Sequence, residues 1–301
     1  MLYKNLSSYF RKKYGKRLGK ICIDGGFSCP NRDGVCGTGG CIYCGERGAG
    51  EHIDHLCSIG EQVRSALENA ARDDLFVAYF QNFTNTYADV DTLRKRYDAA
   101  LIDERIRVLA IGTRPDCIDE EKAALIASYK EKVDVWVELG LQTSSDKTAE
   151  IINRGYKTEV FDRAVAILAS HGIPVVAHMI IGLPGEGEAE ALATAEHLAG
   201  LSLFGVKIHS IYVMEGTALA DMYSRGEYTP PSLDEYAKIA AKALAVIPAE
   251  TVIHRLTGDC PKDLLIAPDW NADKHKIIKK IKEYMEENGL YQGKYYKKPL
   301  R

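Results

Sequence analysis

The residues best suited to chemistry are five cysteines between positions 22 and 44. Four of them lie in the loop Cys29-PNRDGVCGTGG-Cys41-IY-Cys44, which includes Cys36, and two residues separate the last pair. Thiolates at this spacing can hold one face of a metal centre, and the glycines between them let the backbone curl around a bulky group at little steric cost. The loop therefore predicts a thiolate-bound metal centre.

The number of ligands separates the possible metals. A structural zinc site needs four ligands, and Cys36 would supply the fourth beside Cys29, Cys41 and Cys44. A four-iron, four-sulfur (4Fe-4S) cluster held by three cysteines leaves one iron open, whereas an electron-carrying ferredoxin uses four cysteines and needs no chain of this length. Cys22, Cys29 and Cys36 can each be the first ligand, so spacing alone leaves the ligand set open.

The chain around this loop alternates apolar runs of strand length with stretches of helical pattern. Strands are predicted at 20–24, 75–80, 106–111, 133–139, 173–181, 205–212 and 251–255, and helices at 60–72, 89–101, 119–130, 159–171, 188–200 and 233–246. This alternation is typical of parallel βα units. It predicts an α/β fold, a partial (β/α)6-type TIM-like barrel, with a doubly wound open sheet as the alternative that periodicity does not exclude.

Polar and glycine-rich residues cluster directly after the predicted strands. They form the runs GGFSCPNRDG, QNFTNTYA, GTRPDC, GLQTSSD and GLPGEGE. The loops that follow the strands of a barrel meet at one face, where active sites are built. We therefore expect the cysteine loop and these loops to form one site.

Charge is distributed unevenly, although the formal net charge is only −3. Residues 1–20 contain seven Lys or Arg and no acid, and residues 274–301 contain nine Lys or Arg against three Glu. Tyrosines are interleaved in both ends, which suits phosphate pairing and base stacking on nucleic acid, although solvated helix faces have the same composition. We predict a basic N-terminal arm at 1–19, a core barrel at 20–260 and a basic C-terminal extension at 261–301.

The sequence also bears on location. It has no run of eighteen apolar residues and no signal-peptide pattern at its start. We therefore expect a cytoplasmic protein with no membrane partner. Eight cysteines in such a protein indicate metal or redox chemistry rather than a disulfide framework.

The cysteine loop resembles the signature of the radical S-adenosylmethionine (SAM) superfamily, in the branch with a widened first gap that includes the catalytic subunit of Elongator. The motif of that branch also opens with Cys-Pro, as at Cys29, and ends in C-x2-C. The resemblance implies that Cys29, Cys41 and Cys44 bind a 4Fe-4S cluster whose open iron binds SAM. An aromatic residue inside the C-x2-C pair, here Tyr43, is typical of this arrangement.

The resemblance extends over about residues 20–260 and implies further contacts with SAM. The implied SAM-binding residues follow the predicted strands or end them, and are Gln81, Asn82, Thr113, Arg114, Glu138, Gln142, Arg154, His178 and Gly182. Gln81 and Asn82 stand where many members have a glycine-glycine-glutamate run. By the same match Gln142 contacts the ribose, and Arg154 faces the methionine carboxylate.

The family chemistry that the resemblance implies begins when one electron from the cluster breaks SAM into methionine and a 5'-deoxyadenosyl radical. That radical abstracts hydrogen from the substrate. His178, Lys207, His209 and His254 are candidates for the general acid or base that completes the reaction. A reducing electron donor such as flavodoxin or ferredoxin is an expected partner.

Resemblance to the Elongator subunit and to its small bacterial relatives implies a tRNA substrate and no DNA partner. The stretch from Lys207 to Tyr228 resembles the part of that subunit near the substrate end of the barrel, and no acetyltransferase domain is expected to follow it. The implied step remodels a 5-carboxymethylaminomethyl group of a wobble uridine toward 5-aminomethyl. Two alternatives stay open: a radical SAM enzyme acting on a small molecule such as a porphyrin precursor, and a non-catalytic, zinc-stabilised RNA-binding protein.

Overall fold

A computed structural model describes residues 2–48, 50, 53, 56–68, 70–71 and 74–297. Its centre is a seven-stranded parallel sheet. Its seven strands are β1 (Leu18–Ile23), β2 (Leu75–Phe80), β3 (Ile106–Thr113), β4 (Asp134–Gln142), β5 (Val175–Ile181), β6 (Gly205–Ser210) and β8 (Val252–Arg255). Two further strands, β7 (Val213–Met214) and β9 (Leu265–Ala267), form a small antiparallel sheet. The large sheet has the order β1-β2-β3-β4-β5-β6-β8.

Ten α-helices are found among the described residues. They are α1 (Leu6–Tyr14), α2 (Ile59–Glu68), α3 (Val90–Ala100), α4 (Glu120–Ser128), α5 (Asp146–Ile151), α6 (Thr158–Ser170), α7 (Glu188–Ala199), α8 (Ala218–Ser224), α9 (Leu233–Val246) and α10 (Lys274–Glu287). Strand order follows chain order, and the parallel sheet curls into a half-barrel. This confirms the predicted partial TIM-like barrel, since a doubly wound sheet would reverse its strand order at a switch point.

The predicted elements agree with the structure to within a few residues. All seven predicted strands and all six predicted helices are present. The helix predicted at 60–72 ends at Glu68, and positions 69 and 72 lie outside the described residues, as do position 1 of the predicted arm and 298–301 of the predicted extension. Helices α1, α5, α8 and α10 and the β7/β9 pair were not predicted from the sequence.

Alternate side chains of each strand point to opposite sides of the curled sheet. The outer set, including Leu109, Val137 and Ile208, packs with the helices in the large hydrophobic core. The inner set, including Val108 and Trp136, forms a second cluster. Because the inner face is not covered by the outer helices, its upper part is free to form a cavity.

Helix α1 closes the lower, amino-terminal end of the half-barrel. Phe10 is 4% exposed and stacks on Trp136, with ring centroids 6.2 Å apart. Tyr9 packs edge-on against Phe204 at 5.1 Å. The tyrosines of this basic segment therefore pack on the protein's own aromatic residues.

Polar contacts fix α1 in this position. The hydroxyl of Tyr14 donates to Asp134, the first residue of β4, and Lys13 pairs with the same carboxylate at 2.6 Å. On the other side of α1, the backbone N–H of Ile253 in β8 donates to the carbonyl of Lys4 at 2.8 Å. The chain before β1 is thus joined to both β4 and β8.

Helix α10 packs along α9 through Ile277, Ile281 and Met285, which are all fully buried. Its opposite face is exposed and carries Lys276, Lys279 and Lys282 at helical spacing, with Lys279 3.6 Å from Glu283. Nowhere in the described ranges is a helix both long and apolar enough to cross a membrane.

Candidate active site

A cavity of about 240 Å³ lies at the carboxyl-terminal ends of the strands. Its lining includes Cys29, Cys41 and Cys44 from the loop after β1, together with residues from β2 to β6 and β8. Four of the five polar runs expected to share a site contribute to it. No residue of the fifth, GLPGEGE, belongs to the lining among the described residues.

Short backbone hydrogen bonds shape the cysteine loop. The N–H of Arg32 donates to the carbonyl of Cys29 at 2.8 Å, and that of Cys44 to the carbonyl of Cys41 at 3.0 Å. Gly40 between them has φ +78°, where a side chain is strained. These turns point three thiols into the same cavity.

The environment of Cys41 favours a thiolate. A hydrogen bond with Cys44, assisted by the positive charge of Arg114, lowers the pKa of Cys41 to about 7. The Nδ2 atom of Asn31 lies 3.9 Å from its sulfur. The same bond to Cys41 and burial raise the pKa of Cys44, so Cys41 is the thiol of this pair that ionises more readily.

The donor set fits a 4Fe-4S cluster better than zinc. Cys36, the fourth zinc ligand in the alternative interpretation, is exposed, and its sulfur lies 3.8 Å from Asp116. In the part of the chain that the structure describes, no three His, Cys, Asp or Glu side chains are grouped closely enough to hold one metal ion. A cluster of this kind can be held by three cysteine thiolates, and Cys29, Cys41 and Cys44 line one cavity.

The cavity beyond the thiols has room and polar groups for a nucleoside. Gly112 and Gly140 both face it, and a Cβ at Gly140 would lie 2.7 Å from the amide nitrogen of Gln142. Two lining atoms, Thr84 Oγ1 and His209 Nε2, are buried and have no hydrogen-bond partner within the described ranges. Buried polar atoms are normally satisfied, so both indicate a bound ligand.

Most of the residues that the resemblance implied for SAM binding reach this cavity. Those that line it are Tyr43, Gln81, Thr113, Arg114, Glu138, Gln142 and His178. Gln142 has φ +68° and Phe83, also in the lining, has φ +56°. Such backbone conformations cost energy in residues other than glycine and cluster at functional sites.

Asn82, Arg154, Gly182 and His254 do not line the cavity among the described residues. Asn82 is buried and donates to Asp24 at 2.8 Å, so it stabilises the loop after β1. Gly182, with φ +95°, lets the backbone approach Pro231, since a Cβ would lie 2.7 Å from that ring. Both residues therefore support the local backbone rather than line the cavity.

Arg154 is fully buried behind the cavity wall. Its guanidinium donates to the carbonyls of Thr143 at 2.6 Å and Tyr156 at 3.0 Å, so it holds the segment after β4 rather than facing the cavity. The ring of Tyr156 lies between Arg154 and Arg114, 4.6 and 4.8 Å from the two guanidinium carbons. Arg154 thereby positions Tyr156, which does line the cavity.

A buried polar layer forms the floor of the cavity. Glu138 is 3% exposed and accepts hydrogen bonds from Lys207, from Trp136 at 3.1 Å, and from His178, whose Nε2 lies 2.9 Å away. Burial alone would raise the pKa of Glu138, but Lys207 and His178 hold it well below its usual value. Burial lowers the pKa of Lys207 to about 8 despite the attraction of Glu138.

The three histidine candidates lie in different places. His178 and His209 line the cavity with ring centroids 5.2 Å apart. Burial lowers the pKa of both, so both are neutral at pH 7. His254 lies below the polar layer, with its ring 5.4 Å from that of Trp136, and both its nitrogens are shielded and unpartnered within the described residues. His254 is therefore poorly placed to exchange protons with a substrate.

Sequence reasoning missed several residues of the lining, namely Tyr79, Thr84, Tyr156, Tyr212, Arg255 and Asp259. Arg255 ends the predicted strand at 251–255, and Tyr156 lies two positions after Arg154. Position at the end of a barrel strand was the available signal for Arg255.

Comparisons with known proteins agree with this geometry. The family described as the radical SAM superfamily matches residues 34–198, and the Radical_SAM C-terminal domain matches residues 204–287. The chain is 36% identical over 300 residues to "Uncharacterized protein YtqA" of Bacillus subtilis, covering 98% of this chain and 93% of that protein.

Two further relatives are longer. A tRNA uridine(34) acetyltransferase of Methanocaldococcus jannaschii is 28% identical over 191 residues, which cover 62% of this chain and 34% of that protein. The solved structure of Methanocaldococcus infernus Elp3 with an N-terminal deletion matches with a TM-score of 0.70 at 20% identity, covering 91% of this chain and 64% of that one, and shows a shared fold.

The family match covers more than half of the chain, and the half-barrel places three thiols of the expected motif in one cavity. The chain belongs to the radical SAM superfamily, whose members bind a 4Fe-4S cluster and SAM.

Proposed function

We propose that this radical SAM enzyme modifies the C5 side chain of a tRNA wobble uridine, in a step of the carboxymethylaminomethyl to aminomethyl type. The observation that carries the proposal is the three-thiol cavity in a half-barrel similar in sequence to a tRNA uridine(34) acetyltransferase. In this proposal the enzyme acts in the cytoplasm and receives electrons from a flavodoxin or ferredoxin.

The cavity residues divide into two groups in this proposal. Cys29, Cys41 and Cys44 would hold the cluster, while Gln81, Thr113 and Gln142 offer hydrogen bonds to polar groups of SAM. When bound, the cluster and SAM supply a 5'-deoxyadenosyl radical that abstracts hydrogen from the substrate.

The polar floor offers proton exchange close to the substrate. Lys207 has a pKa of about 8, because burial disfavours its charged form, and it can therefore gain or lose a proton near neutral pH. His178 is neutral and shares Glu138 with Lys207. Helix α1 covers the half-barrel from below. Lys207 and His178 both line the cavity, so they are the candidates for the general acid and base.

The exposed face of α10 suits the tRNA backbone. Lys276, Lys279 and Lys282 form a stripe along this helix. The helix begins at Lys274, which pairs with Asp259 on the cavity wall, so the stripe starts at the cavity. The tyrosines of α1 pack inside the protein, which favours phosphate pairing by lysines over base stacking by that arm.

Two measurements test the proposal. The protein is reconstituted anaerobically with iron and sulfide, reduced with dithionite and supplied with SAM, and release of 5'-deoxyadenosine is measured. The wobble nucleosides of tRNA from cells with and without the protein are then compared by mass spectrometry. We expect 5-carboxymethylaminomethyluridine to accumulate in cells without it, and an unchanged profile would contradict the tRNA assignment.

A further inference from the structure

One wall of the cavity is not used by the thiols or by the residues proposed for SAM. It is formed by the end of β8 and the segment after it, where Arg255 and Asp259 both line the cavity. The guanidinium of Arg255 donates to Asp259 at 3.0 Å, and Lys274 pairs with the other carboxylate oxygen. Both side chains remain partly exposed, at 22% and 31%, so a ligand can reach them.

Arg255 also acts on the interior of the half-barrel. Its backbone is in register with Lys207 of β6. Burial lowers the pKa of Lys207, His178 and His209, and the positive charge of Arg255 lowers each of them further. Arg255 and Asp259 thus lie at the border between the polar floor and the cavity mouth.

The charges in this part of the cavity are close to balanced. Lys207 is compensated by Glu138, while Asp259 lies between Arg255 and Lys274, which leaves one positive charge on this wall. A ligand with several carboxylates, such as a porphyrin precursor, would bring more negative charge than this single positive charge compensates, and burying unpaired charge is costly. A ligand with one carboxylate and one ammonium group can face Arg255 and Asp259 with no net charge added.

His209 is a third group of the cavity lining near β8. His209, one strand away from β8, has a buried Nε2 with no hydrogen-bond partner within the described ranges, and it lines the cavity. A neutral imidazole can donate or accept one hydrogen bond, so it suits an uncharged polar atom of a ligand. Tyr212 lines the adjoining wall with an aromatic surface.

We infer that Arg255, Asp259 and His209 form a substrate subsite for an aminoalkyl carboxylate, the N-linked glycine group of a carboxymethylaminomethyl side chain. Arg255 binds the carboxylate, Asp259 binds the protonated secondary amine, and His209 binds a neutral polar atom. This inference rests on the proposed function and adds the group of the substrate that the enzyme recognises.

The test measures binding without turnover. Cluster-reconstituted protein is titrated anaerobically, without reductant, into three end-labelled tRNAs that differ only at position 34, and fluorescence anisotropy is recorded. The position holds 5-carboxymethylaminomethyluridine, 5-aminomethyluridine or uridine. We expect about 10-fold tighter binding of the first than of the second, the size of effect that one hydrogen bond to a charged group produces.

Two variants locate this preference. Arg255→Gln should bind the carboxymethylaminomethyl and aminomethyl tRNAs equally, and Asp259→Asn should bind the aminomethyl tRNA no better than unmodified tRNA. Arg225→Gln is the matched control, since Arg225 pairs with Glu227 at the surface, 2.7 Å away, and its side chain is 55% exposed. Should Arg255→Gln fail to fold by circular dichroism, Arg255→Lys keeps the charge without the planar fork and should reduce the preference in part.

The outcomes distinguish a failure of the subsite from a failure of the proposed function. If Arg255→Gln or Arg255→Lys keeps the full preference, or if the wild type binds all three tRNAs equally but still modifies one, the subsite is wrong and the proposed function stands. If the wild type neither binds nor modifies any of the tRNAs while still releasing 5'-deoxyadenosine, the proposed function itself fails.

Discussion

Replacing Glu138 with Gln tests the buried polar layer directly. The carboxylate is 3% exposed and bonds Lys207, which is 6% exposed. Gln has nearly the same volume and can still accept the hydrogen bond of the Trp136 indole, now 3.1 Å long. The substitution therefore removes the negative charge that compensates Lys207, together with the oxygen acceptor that Lys207 and His178 share.

The expected loss of stability is large. Removing one partner of a buried ion pair costs about 3–5 kcal/mol, because the remaining charge is left uncompensated. The entropy of unfolding at the midpoint is about 2.1 cal/mol/K per residue, so a chain of this length loses roughly 5–8 °C in Tm. At an exposed pair the same change would shift Tm by little more than 1 °C.

The loss depends on pH in a defined direction. Burial lowers the pKa of Lys207 in the folded protein to about 8, against an ordinary value of 10.5. Its protonated form therefore destabilises the folded state at pH 7. This loss of folding free energy disappears as the pH rises from 8 toward 10.5, because the buried amine becomes neutral. Glu138 reduces that penalty in the wild type. The difference in Tm between wild type and Glu138→Gln should therefore be largest at pH 7 and smaller at pH 9.5.

Thermal unfolding of the reconstituted protein under anaerobic conditions, followed by circular dichroism at both pH values, measures this difference. The control is the double variant Glu138→Gln, Lys207→Met, in which no charge remains buried, and it should recover most of the lost stability. A Tm within 1 °C of wild type for Glu138→Gln, or a double variant less stable than the single one, would refute the buried ion pair.

Three further predictions concern other parts of the molecule. Cys41→Ala should lose the brown absorbance and 5'-deoxyadenosine release, whereas Cys36→Ala should keep both, as ultraviolet-visible spectra and chromatography can show. Phe10→Ala should lower the free energy of unfolding by about 3–5 kcal/mol in denaturant titrations, because it empties the lower end of the half-barrel; a loss below 1 kcal/mol would mean that α1 is not part of the core. A triple Lys→Gln variant on α10 should make tRNA binding less dependent on salt. The slope of the logarithm of the binding constant against the logarithm of salt concentration should become shallower by about 2–3 if each lysine contacts one phosphate. An unchanged slope would mean that the tRNA binds to another part of the surface. Those lysines are Lys276, Lys279 and Lys282.

The sequence predicted the half-barrel well because its strands have long apolar runs and its helices have clear periodicity. Strand 75–80 and helix 233–246 match the structure at both ends. Helix α1 was missed because its stabilising contacts are tertiary: only Phe10 within it is buried, and its lysines mask the apolar face. Helix α10 was missed although Ile277, Ile281 and Met285 recur at helical spacing, because its many lysines led to its prediction as a basic extension.

The site was predictable as far as motif and position along a strand could indicate it. The cysteines and the polar residues after β2, β3 and β4 reach one cavity, as the convergence of barrel loops requires. Arg154 was assigned to SAM from its position in a motif, but whether an arginine faces a cavity or a backbone carbonyl depends on the path of the chain after β4. Pairing such as Arg255 with Asp259 likewise becomes visible only in three dimensions.

The attachment of the first residues to β8 at Ile253 has a mechanical consequence. The segment from Lys4 to β1 runs from one edge strand of the sheet to the other, so it ties the two edges of the half-barrel together. Shortening or displacing this segment should flatten the sheet and spread the thiols of the loop after β1 away from Arg255 on β8. A tag fused at the amino terminus would then alter substrate fit from the opposite end of the molecule.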